Sequence, residues 1–266
     1  MKGGVKIIAH RGASAHAPEN TLTAFRMGIE AGAHGVEFDV RLAKDGVPVV
    51  IHDRTLKRLA GRAEAVADLT SVELADVDVG SWFNRRHPKR ARPEFTALGV
   101  RTLSEVLDLH ASANGVIHIE LKLDRKKEVT PLVAAVCDAI KDLVLLPRVV
   151  ISSFKLAAIT EAKFVLPALT TSALFAPSIM NVLKRRRHLI AVARAFQADG
   201  LSPHRSLVTP KLARLAAEMG MPVTIWTADH PKWLGRCRKL GIGALMTNDP
   251  AEMTRAGRVE NDLTGG

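Results

Sequence analysis

The sequence predicts an α/β barrel with eight parallel strands. Short β-branched runs alternate with helical segments along most of the chain, and eight such runs remain once one hairpin arm is set aside. The length of 266 residues suits such a barrel as one domain, and a hydrophobic content of 47% provides for a sizeable core. We therefore expect one barrel domain over residues 1–256 and a frayed tail over 257–266.

The predicted strands are separated by segments that are long enough for one helix each. The strands are expected at 5–9, 35–40, 116–121, 149–153, 168–174, 199–202, 222–227 and 242–247. The helices are expected at 20–31, from Thr102 onward, and at 131–143, 155–164, 178–195, 208–219 and 231–240. Asn20 offers cap chemistry for the first helix, and Thr102 with Glu105 fits a capping box at the start of the second.

Two segments depart from this alternation of strands and helices. Lys44-Asp45-Gly46 has Asp-Gly turn chemistry, so residues 47–51 are predicted to run back along the second strand as a hairpin arm. Residues 54–100 are mixed and charged, with one short helix expected near 69–74. We interpret this stretch as a small insertion over the mouth of the barrel.

Polar side chains lie within or directly after several apolar strands. Glu37 and Asp39 are two residues apart on a predicted strand, so both carboxylates lie on one face. His10 and His52 each follow a neighbouring apolar run. Burial of carboxylates is costly unless they are paired or bind a cation. Because active sites of such barrels lie at the carboxyl ends of the strands, a functional site is predicted there.

Six short motifs occur in the order that is typical of the glycerophosphodiester phosphodiesterase family. They are His10-Arg11-Gly12, Pro18-Glu19-Asn20-Thr21, Glu37-Phe38-Asp39, Lys44-Asp45-Gly46, Val50-Ile51-His52-Asp53 and Glu120-Leu121-Lys122. Trp226-Thr227 and Thr247-Asn248-Asp249-Pro250 are similar to the C-terminal signature of that family, so the resemblance covers about residues 5–250. It implies metal-dependent hydrolysis of small-molecule glycerophosphodiesters to sn-glycerol 3-phosphate and an alcohol.

The resemblance also implies a divalent cation and two catalytic histidines. Glu37, Asp39 and Glu120 match the metal ligands of the family, and hard cations such as Mg²⁺ or Ca²⁺ prefer carboxylate oxygens. His10 and His52 match its general acid and base, with the assignment of each role left open. The structural alternative for the three carboxylates is a salt-bridged cluster with nearby basic residues, namely Arg11, Arg41 and Lys122.

Further residues are assigned to substrate binding and to the support of the site. Arg11 and Lys122 would bind the phosphate oxygens, Arg11 through its planar guanidinium. Phe154 and Trp226 would line the substrate pocket, although aromatic residues at strand ends often belong only to the core. The supporting residues behind these groups are expected to be Glu19, Asn20 and His204.

This chain departs from the family pattern near its C-terminal end. Thr224 stands where the family commonly has Asn, and Asn248 stands where it often has Asp. Asp229-His230 replaces the more usual Asn-Asp. None of these changes removes a metal ligand or a catalytic histidine, so we expect them to affect substrate preference rather than chemistry.

The chain carries a formal charge of +11, much of it in two basic runs at 85–92 and 184–188. Such an excess favours anionic partners. One alternative is therefore a lysophospholipase D-like enzyme that docks peripherally on an anionic membrane. A remote alternative is a non-enzymatic nucleic-acid binder, but aromatic residues are only 4% and the carboxylates and histidines would be unexplained. We expect no nucleic-acid partner.

Cys137 and Cys237 are far apart in sequence and are predicted to be buried thiols rather than a disulfide. The N-terminal residues contain no apolar signal region, and no apolar stretch reaches the length of a membrane span. A cytoplasmic enzyme is therefore expected. The oligomeric state stays open.

Overall fold

The computed structural model describes residues 4–183 and 185–264, which contain ten strands. In chain order they are β1 Lys6–His10, β2 Gly35–Leu42, β3 Pro48–Val50, β4 Arg101–Thr102, β5 Val116–Leu121, β6 Val149–Ser153, β7 Thr170–Phe175, β8 Gly200–Pro203, β9 Thr224–Ile225 and β10 Ala244–Thr247. Eight of them are parallel and follow the order β8-β7-β6-β5-β2-β1-β10-β9. Parallel bridges from Leu201 to Val223 and from His204 to Trp226 connect the two ends of this order. The predicted α/β barrel is confirmed.

Each predicted strand matches an observed strand to within two residues at either end. The hairpin prediction is also confirmed, because β3 runs antiparallel to β2 with Val50 opposite Val40. The β2–β5 register matters most for the site. It sets Glu37 opposite His118 and Asp39 opposite Glu120, so acidic residues of two strands share one level of the barrel.

Eleven α-helices surround or flank the strands within the described ranges. They are α1 Leu22–Glu30, α2 Lys57–Ala60, α3 Ser71–Ala75, α4 Ser81–Arg86, α5 Leu103–Ala111, α6 Val129–Ile140, α7 Ala157–Val165, α8 His188–Ala195, α9 Pro210–Glu218, α10 Lys232–Leu240 and α11 Pro250–Thr264. The capping box of α5 forms as predicted between Thr102 and Glu105. At α1 the cap is Thr21 rather than Asn20, because the Asn20 amide is bound to Asp39 instead.

The short helices α2, α3 and α4 lie between β3 and β4 and occupy the stretch that the sequence predicts as an insertion. They pack around apolar side chains of their own, including Leu56, Leu74 and Val79. Phe83 and Phe95 form a second contact with Ala17 and Ala24. The insertion is therefore fastened by apolar packing to the loop that follows β1.

Two predicted boundaries differ from the structure. The helix expected over 178–195 is a short 3-10 turn at Pro177–Asn181 followed by α8 from His188. Three consecutive arginines at 185–187 separate the two segments, and Lys184 of the same basic run lies outside the described residues. At the other end, α11 extends to Thr264, so the tail expected from 257 is helical through that residue.

Alternate residues of the strands face opposite sides of the barrel wall. Phe38, Ile117 and Ile119 pack against helices in one large apolar cluster. The residues between them on the same strands are polar and buried, and these are Glu37, Asp39, His118 and Glu120. The barrel therefore sets an acidic interior against a hydrophobic exterior layer.

Two smaller expectations can be compared directly with the structure. Cys137 and Cys237 are free and buried, and burial raises their pKa values to about 11 and about 12. Within residues 4–183 and 185–264, none of the helices has the length and hydropathy that a bilayer span requires.

Candidate active site

The chain turns sharply where β1 ends, and this turn carries the first two site residues. Arg11 adopts a left-handed φ of 54° and Gly12 a φ of 80°. A Cβ on Gly12 would lie 2.5 Å from the Ala24 carbonyl carbon, so only glycine fits here. The Arg11 amide donates to the Glu37 carbonyl oxygen at 2.8 Å. The turn thus holds His10 and Arg11 against β2.

Three buried carboxylates form the centre of the site. Glu37, Asp39 and Glu120 each offer an oxygen atom within 4.8 Å of the others. Asp39 is fully buried, and Glu37 and Glu120 are 2% and 6% exposed. We call these three residues the acidic triad.

Two cations and one amide hold the acidic triad together. Arg11 Nε lies 3.0 Å from Asp39 Oδ2, and Lys122 Nζ lies 3.1 Å from Asp39 Oδ1 and 2.5 Å from Glu120 Oε1. Asn20 Nδ2 donates to Asp39 Oδ2 at 2.9 Å. Asn20 itself has a left-handed φ of 58°, a strained conformation of the kind that functional sites maintain.

The salt-bridged cluster considered as an alternative is therefore present with Arg11 and Lys122, but not with Arg41. The Arg41 guanidinium lies 2.8 Å from Asp124 Oδ2 and donates to the His52 carbonyl oxygen at 2.8 Å. Arg41 thus supports the backbone of His52 instead of neutralising the triad. Asp39, two residues earlier on the same strand, pairs with Arg11 and Lys122.

The charges inside the triad are only partly compensated. Burial, together with the charges of Asp39 and Glu120, raises the pKa of Glu37 well above its usual range. Burial and Asp39 raise the pKa of Glu120 to about 7. The pKa of Asp39 is lowered despite its burial, because Arg11 and Lys122 stabilise its charge. A further cation would favour ionisation of Glu37 and Glu120, so this donor set fits a hard divalent ion.

His10 faces the triad from the end of β1. Its Nε2 lies 3.8 Å from Glu37 Oε2, and its Nδ1 lies 2.7 Å from Asn248 Oδ1. Burial and the neighbouring Arg11 charge lower the pKa of His10 to about 4. His10 is therefore a neutral imidazole at physiological pH.

His52 lies just after β3. A series of ion pairs through Asp53, Arg58 and Glu19 connects it to Arg11. His52 Nδ1 lies 2.7 Å from Asp53 Oδ1, and Arg58 Nε lies 2.6 Å from Asp53 Oδ2. Arg58 Nη2 also lies 2.7 Å from Glu19 Oε1, and that carboxylate lies 3.0 Å from Arg11 Nη1. Glu19 therefore lies between two arginines of this chain of charges, Arg11 and Arg58.

Sequence reasoning missed Arg58 as a member of the site. Arg58 belongs to the short helix α2 inside the insertion, a segment interpreted only as mixed and charged. Its guanidinium also lies 5.6 Å from the centre of the Trp82 ring. No local pattern distinguishes it from neighbouring arginines, because its partners Glu19 and Asp53 come from other loops.

Aromatic side chains close the side of the site that faces β6 to β9. The Phe154 and Trp226 rings lie 5.5 Å apart in an edge-to-face arrangement, and His204 lies 5.1 Å from Trp226. Trp226 Nε1 donates to the Ser202 carbonyl oxygen at 2.7 Å, which fixes its ring. A cavity of about 250 Å³ results, lined among others by both catalytic candidates, two cations and two aromatic residues: His10, His52, Arg11, Lys122, Phe154 and Trp226.

Comparison with known proteins agrees with this geometry. Residues 10–252 match the model of the glycerophosphoryl diester phosphodiesterase family. The chain belongs to this family. A glycerophosphodiester phosphodiesterase of Caldanaerobacter subterraneus subsp. tengcongensis is 31% identical over 252 residues, which is 92% of this chain and 94% of the relative. The resemblance inferred from six motifs is confirmed, as is the classification as a phosphoric diester hydrolase.

Two solved structures share the same barrel. One is the crystal structure of a protein from Silicibacter pomeroyi DSS-3 that carries the name of the glycerophosphoryl diester phosphodiesterase family. It has a TM-score of 0.87 at 30% identity, and the match covers 98% of this chain and 95% of that protein. An Oleispira antarctica phosphodiesterase has a TM-score of 0.81 at 25% identity, and the match covers 94% of this chain and 96% of that protein. That protein was solved in complex with its product, sn-glycerol-3-phosphate.

Substitution of Arg58 tests the charged chain around the mouth. Arg58→Gln removes the cation that holds Glu19 and Asp53, so we expect phosphodiester hydrolysis to fall by about 10-fold or more while the fold is retained. The matched control is Arg62→Gln, which removes an exposed arginine of the same insertion that pairs only locally with Glu64 at 2.7 Å. Steady-state kinetics of both variants provide the measurement. Equal losses of activity in the two variants would contradict this role.

Proposed function

We propose that this phosphodiesterase hydrolyses glycerophosphodiesters to sn-glycerol 3-phosphate and an alcohol with the help of a divalent cation. The observation that carries the proposal is one cavity lined by two histidines, two cations and two of the triad carboxylates. Such a cavity combines phosphate binding with proton transfer. The product bound to the Oleispira antarctica neighbour supports the choice of substrate.

Glu37, Asp39 and Glu120 would hold the cation, either Mg²⁺ or Ca²⁺. When bound, such an ion polarises a phosphoryl oxygen and offsets developing negative charge. Arg11 and Lys122 are positioned beside the same carboxylates and would bind the non-bridging phosphate oxygens. Phe154 and Trp226 would line the glycerol or alcohol side of the cavity, with His204 supporting Trp226.

We assign the role of general base to His10, because its Nε2 faces the acidic triad and lies 3.8 Å from Glu37 Oε2. Burial lowers the pKa of His10 and keeps the ring neutral, so that Nε2 can accept a proton. We assign the role of general acid to His52, because Asp53 Oδ1 lies 2.7 Å from its Nδ1 and Asp53 is itself held by Arg58. His10 would take a proton from the attacking hydroxyl, and His52 would deliver one to the departing alkoxide. The attacking hydroxyl is either the glycerol 2-hydroxyl, through a cyclic phosphate, or water.

The two histidine roles predict different responses to the leaving group. With glycerophosphocholine and Mg²⁺ or Ca²⁺, both His10→Ala and His52→Ala should lower release of glycerol 3-phosphate by about 100-fold or more, and EDTA should abolish release by the wild type. With a p-nitrophenyl diester, whose phenolate leaves without a proton, only His52→Ala should recover much of its activity. Equal losses on both substrates for both variants would contradict the assignment.

The acidic triad predicts a pH-dependent effect of the cation on stability. The pKa of Glu120 is about 7 in the folded chain against an ordinary 4.5, and that of Glu37 is raised as well. The unfolded state therefore loses these protons first, and stability contributed by the protonated carboxyls is lost as pH rises from about 4.5 to 7. Above this pH range, a bound cation would stabilise the ionised carboxylates in place of the lost protons.

We expect Mg²⁺ or Ca²⁺ to raise the melting temperature at pH 8 and to have little effect at pH 5. Glu120→Gln should remove most of the effect at pH 8, whereas the control Glu94→Gln changes only an exposed carboxylate far from the triad. Differential scanning calorimetry at both pH values provides the measurement. Equal stabilisation at pH 5 and pH 8 would exclude the triad as the binding site.

A lipid substrate is the second candidate, and one loop favours it. The loop between β7 and α8 lies at the carboxyl end of the barrel and carries Val182, which is 75% exposed. Exposed arginines occur at 185–187, three to five residues further along the chain. An apolar side chain beside basic residues suits an anionic membrane. Salt-sensitive binding to phosphatidylserine vesicles with turnover of lysophospholipids would favour this candidate, and turnover of water-soluble diesters alone would exclude it.

A further inference from the structure

Asp229, in the loop after β9, accepts three hydrogen bonds from the last residue of β10 and the residue that follows it. The Asn248 backbone amide donates to Asp229 Oδ1 at 2.7 Å, and the Thr247 hydroxyl donates to the same oxygen at 3.0 Å. Asn248 Nδ2 donates to Asp229 Oδ2 at 2.9 Å. The carboxylate therefore binds both the backbone and the side chain of Asn248.

This clamp determines which way the Asn248 amide points. A carboxylate only accepts hydrogen bonds, so the NH₂ group of Asn248 must face Asp229. The Oδ1 atom then faces His10, where it lies 2.7 Å from Nδ1 and 3.0 Å from the Ser14 hydroxyl. A rotated amide would set its oxygen against the Asp229 carboxylate and its NH₂ group against His10.

The amide orientation in turn determines the tautomer of His10. The Asn248 oxygen cannot donate, so the hydrogen bond at 2.7 Å requires a proton on His10 Nδ1. The lone pair of the neutral ring is then on Nε2, which faces Glu37 and the cavity. The opposite tautomer would carry its proton on Nε2 and have no free lone pair there.

Asp229 and Asn248 are also two of the positions at which this chain departs from the family pattern described above. The family often has Asp at the position of Asn248 and more usually Asn at the position of Asp229. In this chain the acid and the amide are exchanged, and the two residues are in direct contact. In this chain the acceptor for His10 Nδ1 is the Asn248 amide oxygen, and the carboxylate of Asp229 lies behind that amide.

We propose that Asp229 is a positioning residue for the phosphodiesterase reaction. It acts through Asn248 to hold His10 as the Nδ1–H tautomer, with Nε2 available to take a proton inside the cavity. The catalytic consequence rests on the proposed function, in which His10 is the base. The tautomer itself does not rest on it.

Exchange of the acid and the amide between positions 229 and 248 distinguishes a positioning role of Asp229 from a purely structural contact between two loops. In Asp229→Asn the clamp loses its charge and the Asn248 amide is free to rotate, so kcat should fall by roughly 10-fold or more with little change in KM. Asn248→Asp alone sets two carboxylates against each other and should also lower kcat. The double variant Asp229→Asn with Asn248→Asp restores one acid and one amide, and it should recover kcat to within about 3-fold of wild type.

A matched control exists at the opposite end of the barrel. Asp199 accepts from the Thr171 amide at 2.8 Å and from the Thr171 hydroxyl at 3.1 Å, which resembles the bonding of Asp229. Asp199→Asn should lower the melting temperature without lowering kcat. A loss of kcat in Asp229→Asn that the double variant fails to recover would identify a structural tie and overturn the proposal.

A spectroscopic readout on the metal-free protein is independent of activity. Two-dimensional ¹H–¹⁵N spectra that correlate ring protons with ring nitrogens distinguish the two tautomers, and His10→Gln identifies the His10 signals. We expect the Nδ1–H form in wild type and in the double variant, and a mixture in Asp229→Asn. An Nε2–H form in wild type would overturn the proposal even if Asp229→Asn failed to fold. If wild type cleaved no phosphodiester but showed the Nδ1–H form, only the proposed function would fail.

Discussion

The structure of the site depends on the burial of three carboxylates at one level of a barrel. The parallel β2–β5 register sets Asp39 beside Glu120, and the strand period of two adds Glu37. Arg11 and Lys122 pair with these carboxylates and offset their charges only in part. The pKa values of Glu37 and Glu120 are raised as a result, and a divalent cation is the partner that such a cluster favours.

Around this centre, side chains from distant loops hold each reactive group through hydrogen bonds. Asn20 orients Asp39 from the loop after β1, and Arg58 connects Glu19 with Asp53 from the insertion. Apolar packing of Phe83 and Phe95 keeps that insertion against the same loop. The apolar packing therefore positions the loops whose side chains reach the polar interior of the barrel.

The sequence predicted the barrel and its strands because their signals are local: β-branched runs, a capping box at Thr102 and an Asp-Gly turn. It also predicted the acidic triad as a set, since a strand period of two and a family motif need no tertiary information. Arg58 and the Asp229–Asn248 pair were not predicted as contacts, because their partners are brought together only by folding. The helix expected over 178–195 is wrong in its first half, where the chain forms a short 3-10 turn before α8 begins at His188.

The central claim is that the acidic triad binds a divalent cation beside the phosphate of the substrate. Crystals grown with Mn²⁺, which accepts the same oxygen ligands as Mg²⁺, and with sn-glycerol 3-phosphate would test it most directly. The account predicts an anomalous scattering peak bonded to Glu37, Asp39 and Glu120, with the phosphate in contact with Arg11. A peak elsewhere, with Lys122 still between Asp39 and Glu120 and phosphate bound without the metal, would contradict it.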